Sequence, residues 1–291
     1  MFSKRARLWL GLIATLSLMS LASSCSKTPE GGDNGGTDNK GKAYASKGDE
    51  GTIAGKVSYT GAAPESKKID TSADAACTSK SPMLMTEDWV VKDGKLANTF
   101  VYIKDGTLAD GTKIADWTFE TPKTPVTLDQ NGCHYRPHVM GVMVKQDITI
   151  TNSDPTNHNI HFTPKNNPDW NQAQANGAAP MTHKLNAAEV LVPVKCNQHP
   201  WMKAYVGVLK HPLFAVSGED GSFTIKGVPP GKYTVVAWHE GGANGTEKTM
   251  EVTVPAKGAA TADFSFGATA LGQPSSLPML PAIEFPMAGK H

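Results

Sequence analysis

One short stretch, Cys196-Asn-Gln-His199-Pro-Trp-Met202, sets a thiol, an imidazole and a thioether three residues apart. Well upstream, Asn157-His158-Asn159-Ile160-His161-Phe162 supplies two more imidazoles. Thiolate and imidazole donors suit copper or zinc. The thioether argues for copper, because Met is a soft, weak, long axial ligand that zinc sites seldom use. The gaps have a physical use. Cys196 is placed to end a strand, with His199 and Met202 on the turn that follows. Two residues between successive donors let one loop curl round one ion. Pro200 restricts that loop and lowers its entropy cost. His158 and His161 compete for the upstream position; three residues apart on a strand, they point to opposite sheet faces.

The elements around these residues read as strands. With one His early and three donors late on a single loop, Val139 to Leu209 resembles a cupredoxin, and its short loop is similar to that of the amicyanin and pseudoazurin group; Gly141 to Asn152 resembles the strand entering such a site, and Asp154 to Phe162 the His-bearing one. The resemblance implies a Greek-key β-sandwich over 123–210 holding one type 1 copper ion. His158, Cys196, His199 and Met202 would be the ligands, His158 being preferred over His161 by the family pattern. It implies a one-electron carrier that meets redox protein partners transiently. In such a loop the late His reaches the surface with its outer ring edge. His199, Pro200 and Trp201 would then form a small apolar docking patch, of the size that weak redox encounters use. The other reading of Trp201 is plain core.

Strand signals also lie outside this segment. Ile53, Gly55 and Val57 alternate with polar neighbours, Asn98 to Lys104 is apolar and β-branched, and Gly218 to Ile225, Val228 to Tyr233 and Thr234 to Trp238 read as strand, turn, strand. Met250 to Val254 is another. The opening Gly51–Tyr59 strand and the Asp220–Tyr233 hairpin resemble the carboxypeptidase regulatory-like, or prealbumin-like, β-sandwich. The fold expected is therefore all-β: a cupredoxin sandwich nested within a second sandwich made by 51–122 plus 211–266, followed by a tail over 267–291. The outer sandwich carries no Gly-x-Ser-x-Gly elbow, P-loop or zinc-protease helix. It reads as a spacer, with carbohydrate contact resting on fold analogy alone. Multicopper enzymes need adjacent His-Cys-His or repeated His-x-His pairs, which the chain lacks, so no enzyme is expected. The alternatives are a periplasmic copper chaperone and a metal-free adhesion module. His134, His138 and His183 share no familiar ligand spacing and read as surface or core, as do His211 and His239.

The first residues look like an export signal. Lys4, Arg5 and Arg7 precede an apolar run from Leu8 to about Leu21, and Leu21-Ala22-Ser23-Ser24-Cys25 resembles a bacterial lipobox. That implies residues 1–25 as signal, a lipid on Cys25, and a periplasmic or cell-surface protein held to a membrane. Residues 26–50 are Gly, Asn, Asp, Lys and Ser rich and read as a flexible tether. Losing the three basic residues takes the formal charge from +1 to about −2, which suggests no nucleic-acid partner. Of four Cys, one would carry lipid. The remaining three allow three pairings in an oxidising compartment. Cys196 sits in the ligand-like loop, which favours a Cys77–Cys133 disulfide.

Overall fold

A computed structural model describes residues 41–242 and 245–267 of the 291-residue chain. The signal with Cys25, most of the tether and the tail after 267 lie outside the described residues. Among the described residues no helix is long and apolar enough to cross a membrane. The described chain is all-β, with four main sheets, one α-helix, Ala75–Lys80, and one short 3-10 turn.

Two of those sheets draw on strands from both ends of the chain. One runs in the order Phe214–Val216, Phe100–Leu108, Gly231–His239, Thr246–Val254. The other centres on Gly51–Thr60. It pairs with Ser222–Val228 and Lys95–Leu96 along one edge and with Ala259–Thr261 and Phe264–Gly267 along the other. Period-two alternation sends Val101, Ile103, Val235 and Ala237 inward against Ile53, Val57 and Phe223.

The other two sheets use strands from the middle of the chain. Met181–His183, Ile148–Asn152, Val126–Gln130 and Tyr135–Arg136 form one. Trp170–Gln174, His158–Phe162, Glu189–Lys195, Lys203–Leu209 and Val139–Met143 form the other. Their core contains Leu128, Ile148, Ile150, Ile160, Phe162, Val192, Val194 and Val206, all at most 1% exposed.

The two lobes are docked. On the 100–108 and 231–239 strands, alternation leaves Phe100, Tyr102 and Val236 on the outer face, where they pack against Val139, Leu191 and Leu209 of the central lobe. Gly141 and Gly207 lie directly opposite each other in parallel register, and together they form a slot for aromatic rings. A Cβ at Gly207 would lie 2.4 Å from the Phe100 ring, and one at Gly141 2.3 Å from Phe214.

Two segments differ from the sequence reading. Residues 61–88 fall inside the range assigned to the outer sandwich, yet Ile69, Cys77 and Leu84 are buried in the central lobe's core. The Cys77–Cys133 disulfide anchors them there. The end of the segment read as tether is also structured. Lys42–Ala43 pairs with Trp117–Thr118, Tyr44 stacks on Phe119 with ring centroids 4.8 Å apart, and the Tyr44 hydroxyl donates to Glu50 at 2.6 Å. An aromatic residue and a paired carboxylate outweigh the surrounding polar composition.

Gly207→Ala tests the docking. Overpacking of the slot should cost about 1–3 kcal/mol, read by chemical denaturation, whereas a variant as stable as the parent would show that the slot tolerates a methyl group.

Candidate metal centre

Cys196 follows the last residue of the Glu189–Lys195 strand, so the strand's end sets its position. The loop after it closes on itself: the Met202 amide donates to the His199 carbonyl at 2.9 Å, and the Cys196 amide to the Met202 carbonyl at 3.2 Å. His158 opens the His158–Phe162 strand with its side chain wholly buried. The Nδ1 atoms of His158 and His199 come within 2.9 Å, and the Cys196 sulfur lies 3.7 Å from His199 Nδ1. One donor atom from each of these three buried residues lies within 4.8 Å of the others. Met202 is fully buried in the same core as Cys196. His161 points to the other face, as expected, with its Nε2 at 2.9 Å from Asp169.

Each imidazole is held from behind by a carboxylate. His158 Nε2 donates to Asp154 at 2.9 Å, and Asp154 also accepts from the backbone amides of Gly132 at 2.7 Å and Cys133 at 2.8 Å. His199 Nε2 lies 3.1 Å from Asp74. Asp74 is the N-cap of the Ala75–Lys80 helix, accepting from the Ala76 and Cys77 amides, and it accepts from the Thr156 hydroxyl at 2.8 Å. The Cys77 amide, first among these contacts, holds the Asp74 carboxyl down at about 2. A carboxylate on one ring nitrogen fixes the tautomer and aims the lone pair of the other nitrogen forward.

The thiol is tuned as well. Burial raises the Cys196 value, but a bond from His158 and the backbone amides of Asn159, His199 and Gln198 outweigh it, so that the thiol falls to about 6. The Asn159 side chain locks this arrangement, accepting from the Asn197 amide at 2.6 Å and donating to Asn171 at 2.7 Å. Tyr135, buried against the site, donates to the Asn159 carbonyl at 2.6 Å. Burial lowers His158, but Asp154 and the thiolate of Cys196 raise it to about 9. Three donors converging on one point, with their outer protons engaged elsewhere, fit a soft metal ion.

His199 does not reach the surface. It is 4% exposed, because Asp74 covers the ring edge expected to face solvent. Pro200 is exposed and Trp201 half-buried, and the Trp201 indole donates to the Cys133 carbonyl at 3.2 Å. The Cys77–Cys133 pairing is the expected one, and Cys196 is a free, buried cysteine. Sequence reasoning missed Asp74, Asp154 and Asn159. The only local signal was Asp74 standing just before a short run of small residues, where an N-cap belongs.

The family described as "Polysaccharide lyase family 4, domain II" matches residues 214–262, a stretch for which a carboxypeptidase regulatory-like module was expected. No curated protein matches the chain. Among solved structures, the chain is similar to a purple cupredoxin from Nitrosopumilus maritimus, at 21% identity over 28% of this chain and 98% of that one, with a TM-score of 0.25. It is similar to amicyanin from Paracoccus versutus, at 14% identity over 37% and 96% of the two chains, with a TM-score of 0.27. A Cu-containing nitrite reductase from Thermus scotoductus SA-01 is similar at 18% identity, with a TM-score of 0.27. That match covers 29% of this chain but only 22% of the reductase.

Two measurements follow from this geometry. Because the proton on His158 is held up to about 9, a metal ion must displace it at neutral pH. Affinity should rise with pH up to about 9 and then level off, while the Cys196 thiol, with its value near 6, adds little above pH 7. Calorimetric titration at pH 7.5 in buffers of different protonation enthalpy should register about one proton released per ion; release of none would contradict the His158 assignment. Separately, replacing Cys77 and Cys133 together by Ala removes a crosslink spanning 56 residues. This should cost about 4 kcal/mol and weaken metal binding, since both outer carboxylates lean on that bond. A variant binding metal as tightly as the parent would show that the bond does not position the site.

Proposed function

We propose that the chain is an exported, lipid-anchored copper protein. One type 1 ion is held by His158, Cys196, His199 and Met202, and the protein moves single electrons rather than catalysing a reaction. The observation that carries this reading is the meeting of a low-lying thiol with two imidazole Nδ1 atoms in a buried pocket, each imidazole backed by a carboxylate. Bound copper supplies a reversible one-electron couple. The protein's own residues do the rest. Asp154 and Asp74 hold both rings in one tautomer, the backbone amides stabilise the thiolate, and Asn159 fixes the loop. Donors that do not rearrange keep the reorganisation cost of electron exchange small.

The lipid on Cys25 and the periplasmic or cell-surface location belong to this reading and rest on the lipobox-like Leu21–Cys25 stretch. Redox protein partners would approach over exposed Pro200 and the half-buried Trp201, with His199 one layer beneath.

Absorption and EPR spectra of the copper-loaded protein test the proposal. The wild type should show the intense visible thiolate-to-copper band of a type 1 centre, and Cys196→Ser should abolish it. Met202→Leu should keep the colour and raise the reduction potential, because a weak donor to Cu(II) is lost. A colourless protein that holds copper only as Cu(I) would point to a chaperone instead.

A further inference from the structure

Every hydrogen bond made by the carboxyl oxygens of Asp154 and Asp74 is one they accept. Asp154 Oδ1 takes the Gly132 amide, and Oδ2 takes the Cys133 amide and His158 Nε2. Asp74 Oδ1 takes the Ala76 and Cys77 amides, at 2.8 and 3.0 Å, and Oδ2 takes the Thr156 hydroxyl and His199 Nε2. An acid faced by donors alone is held as a carboxylate. Asp154 is wholly buried and Asp74 mostly so. Among the described residues neither pairs with a lysine or an arginine; their ion-pair partners are His158 and His199. With Cys196 as a thiolate, which a metal ligand must be, three negative charges surround one pocket.

That count decides which way burial acts. A thiolate with two neutral imidazoles carries a single negative charge. Cu(I) leaves such a set neutral and Cu(II) leaves it positive, so a dry pocket favours Cu(I), because burial penalises the more highly charged form. Two further negative charges invert the order. The set is then doubly negative with Cu(I) and singly negative with Cu(II), and the same dry pocket favours Cu(II). Direct attraction adds to this, since each carboxylate stands one imidazole ring from the ion in a site where water screens little. A carboxylate behind a histidine also makes the ring a stronger donor. The backbone amides of Asn159, His199 and Gln198 that face the Cys196 sulfur pull the other way, drawing charge off the thiolate. They are neutral dipoles set against two full charges, and the charges prevail.

We propose, resting on the type 1 reading, that Asp74 and Asp154 bias this centre toward Cu(II) and hold its reduction potential below the value that the same four ligands would set without them. The protein then passes its electron on more readily than it accepts one, and the reaction that supplies it must be strongly reducing. Both residues act through the imidazoles, as positioning residues that also bring charge.

Spectroelectrochemical titration of the copper-loaded full chain reads the bias. Asp74→Asn removes one charge and keeps the helix, because Asn caps as well as Asp. Asp154→Asn removes the wholly buried charge. Each should shift the Cu(II)-to-Cu(I) affinity ratio at least about tenfold toward Cu(I), a rise of about 59 mV for one electron, and the double variant should shift it further. Asp169→Asn removes the charge beside His161, on the other face of the strand, and should leave the potential where it was. Competition titrations give a second readout that needs no redox cycling: in both variants zinc(II) affinity should fall at least about tenfold more than Cu(I) affinity. Carboxylates that served only to hold the rings would weaken both ions alike and leave the potential in place, and that result would overturn the proposal. If the wild type lacks a type 1 band, the type 1 reading fails by itself, and the zinc(II)-to-Cu(I) ratio in Asp74→Asn still decides whether the carboxylates favour the divalent ion.

Discussion

The bond between Cys77 and Cys133 is the constraint on which the rest of the centre depends. The Cys77 amide helps hold Asp74, and Asp74 holds His199. The Cys133 amide donates to Asp154, and Asp154 holds His158. The Cys133 carbonyl accepts from Trp201 in the ligand-like loop. Three groups around the pocket thus take their positions from the two halves of one crosslink. Without it, the 61–88 segment would be held to the lobe by the burial of Ile69 and Leu84 and by the side-chain bonds of Asp74, Ser81 and Glu87, with only a six-residue helix of its own. A helix of that length does not persist on its own.

Charge is the second theme of the pocket. Burial alone would drive the thiol up and the imidazole down. Here both move the other way, since His158 and then backbone amides face the sulfur, and a carboxylate stands behind His158. The protein has met the cost of an ionised sulfur in a dry site with dipoles fixed by the fold. A cation of either kind, proton or metal, completes the balance.

What could be read from the sequence, and what could not, divides along physical lines. The Cys196, His199 and Met202 spacing is local, so its loop was visible without the fold. So was the alternation of Ile53, Val57, Val101 and Ile103, which two-residue periodicity exposes. Strand geometry separated His158 from His161, and the resemblance chose between them; one side chain is buried in the pocket and the other lies at Asp169. Asp74, by contrast, lies 125 residues from His199, and a lone aspartate carries no sign of its distant partner. Residues 61–88 stand in sequence between two strands of the outer sandwich, Gly51–Thr60 and Lys95–Leu96, and the burial of Ile69, Cys77 and Leu84 shows which core they join.

The order in which strands enter the sheets also bears on how the chain is made. The outer sheets join Phe100–Leu108 to Gly231–His239 and Gly51–Thr60 to Ser222–Val228, whereas the central sheets close with the Lys203–Leu209 strand. During synthesis from the N-terminus the inner lobe is therefore complete while its host is still half made, and domains fold as units as they emerge. Phe100, whose strand partners Phe214–Val216 and Gly231–His239 are both still to come, waits until Gly141 and Gly207 form the slot that receives it. The nascent inner lobe then offers the first solid surface on which the host's early strands can settle, acting as an internal template for the domain that encloses it.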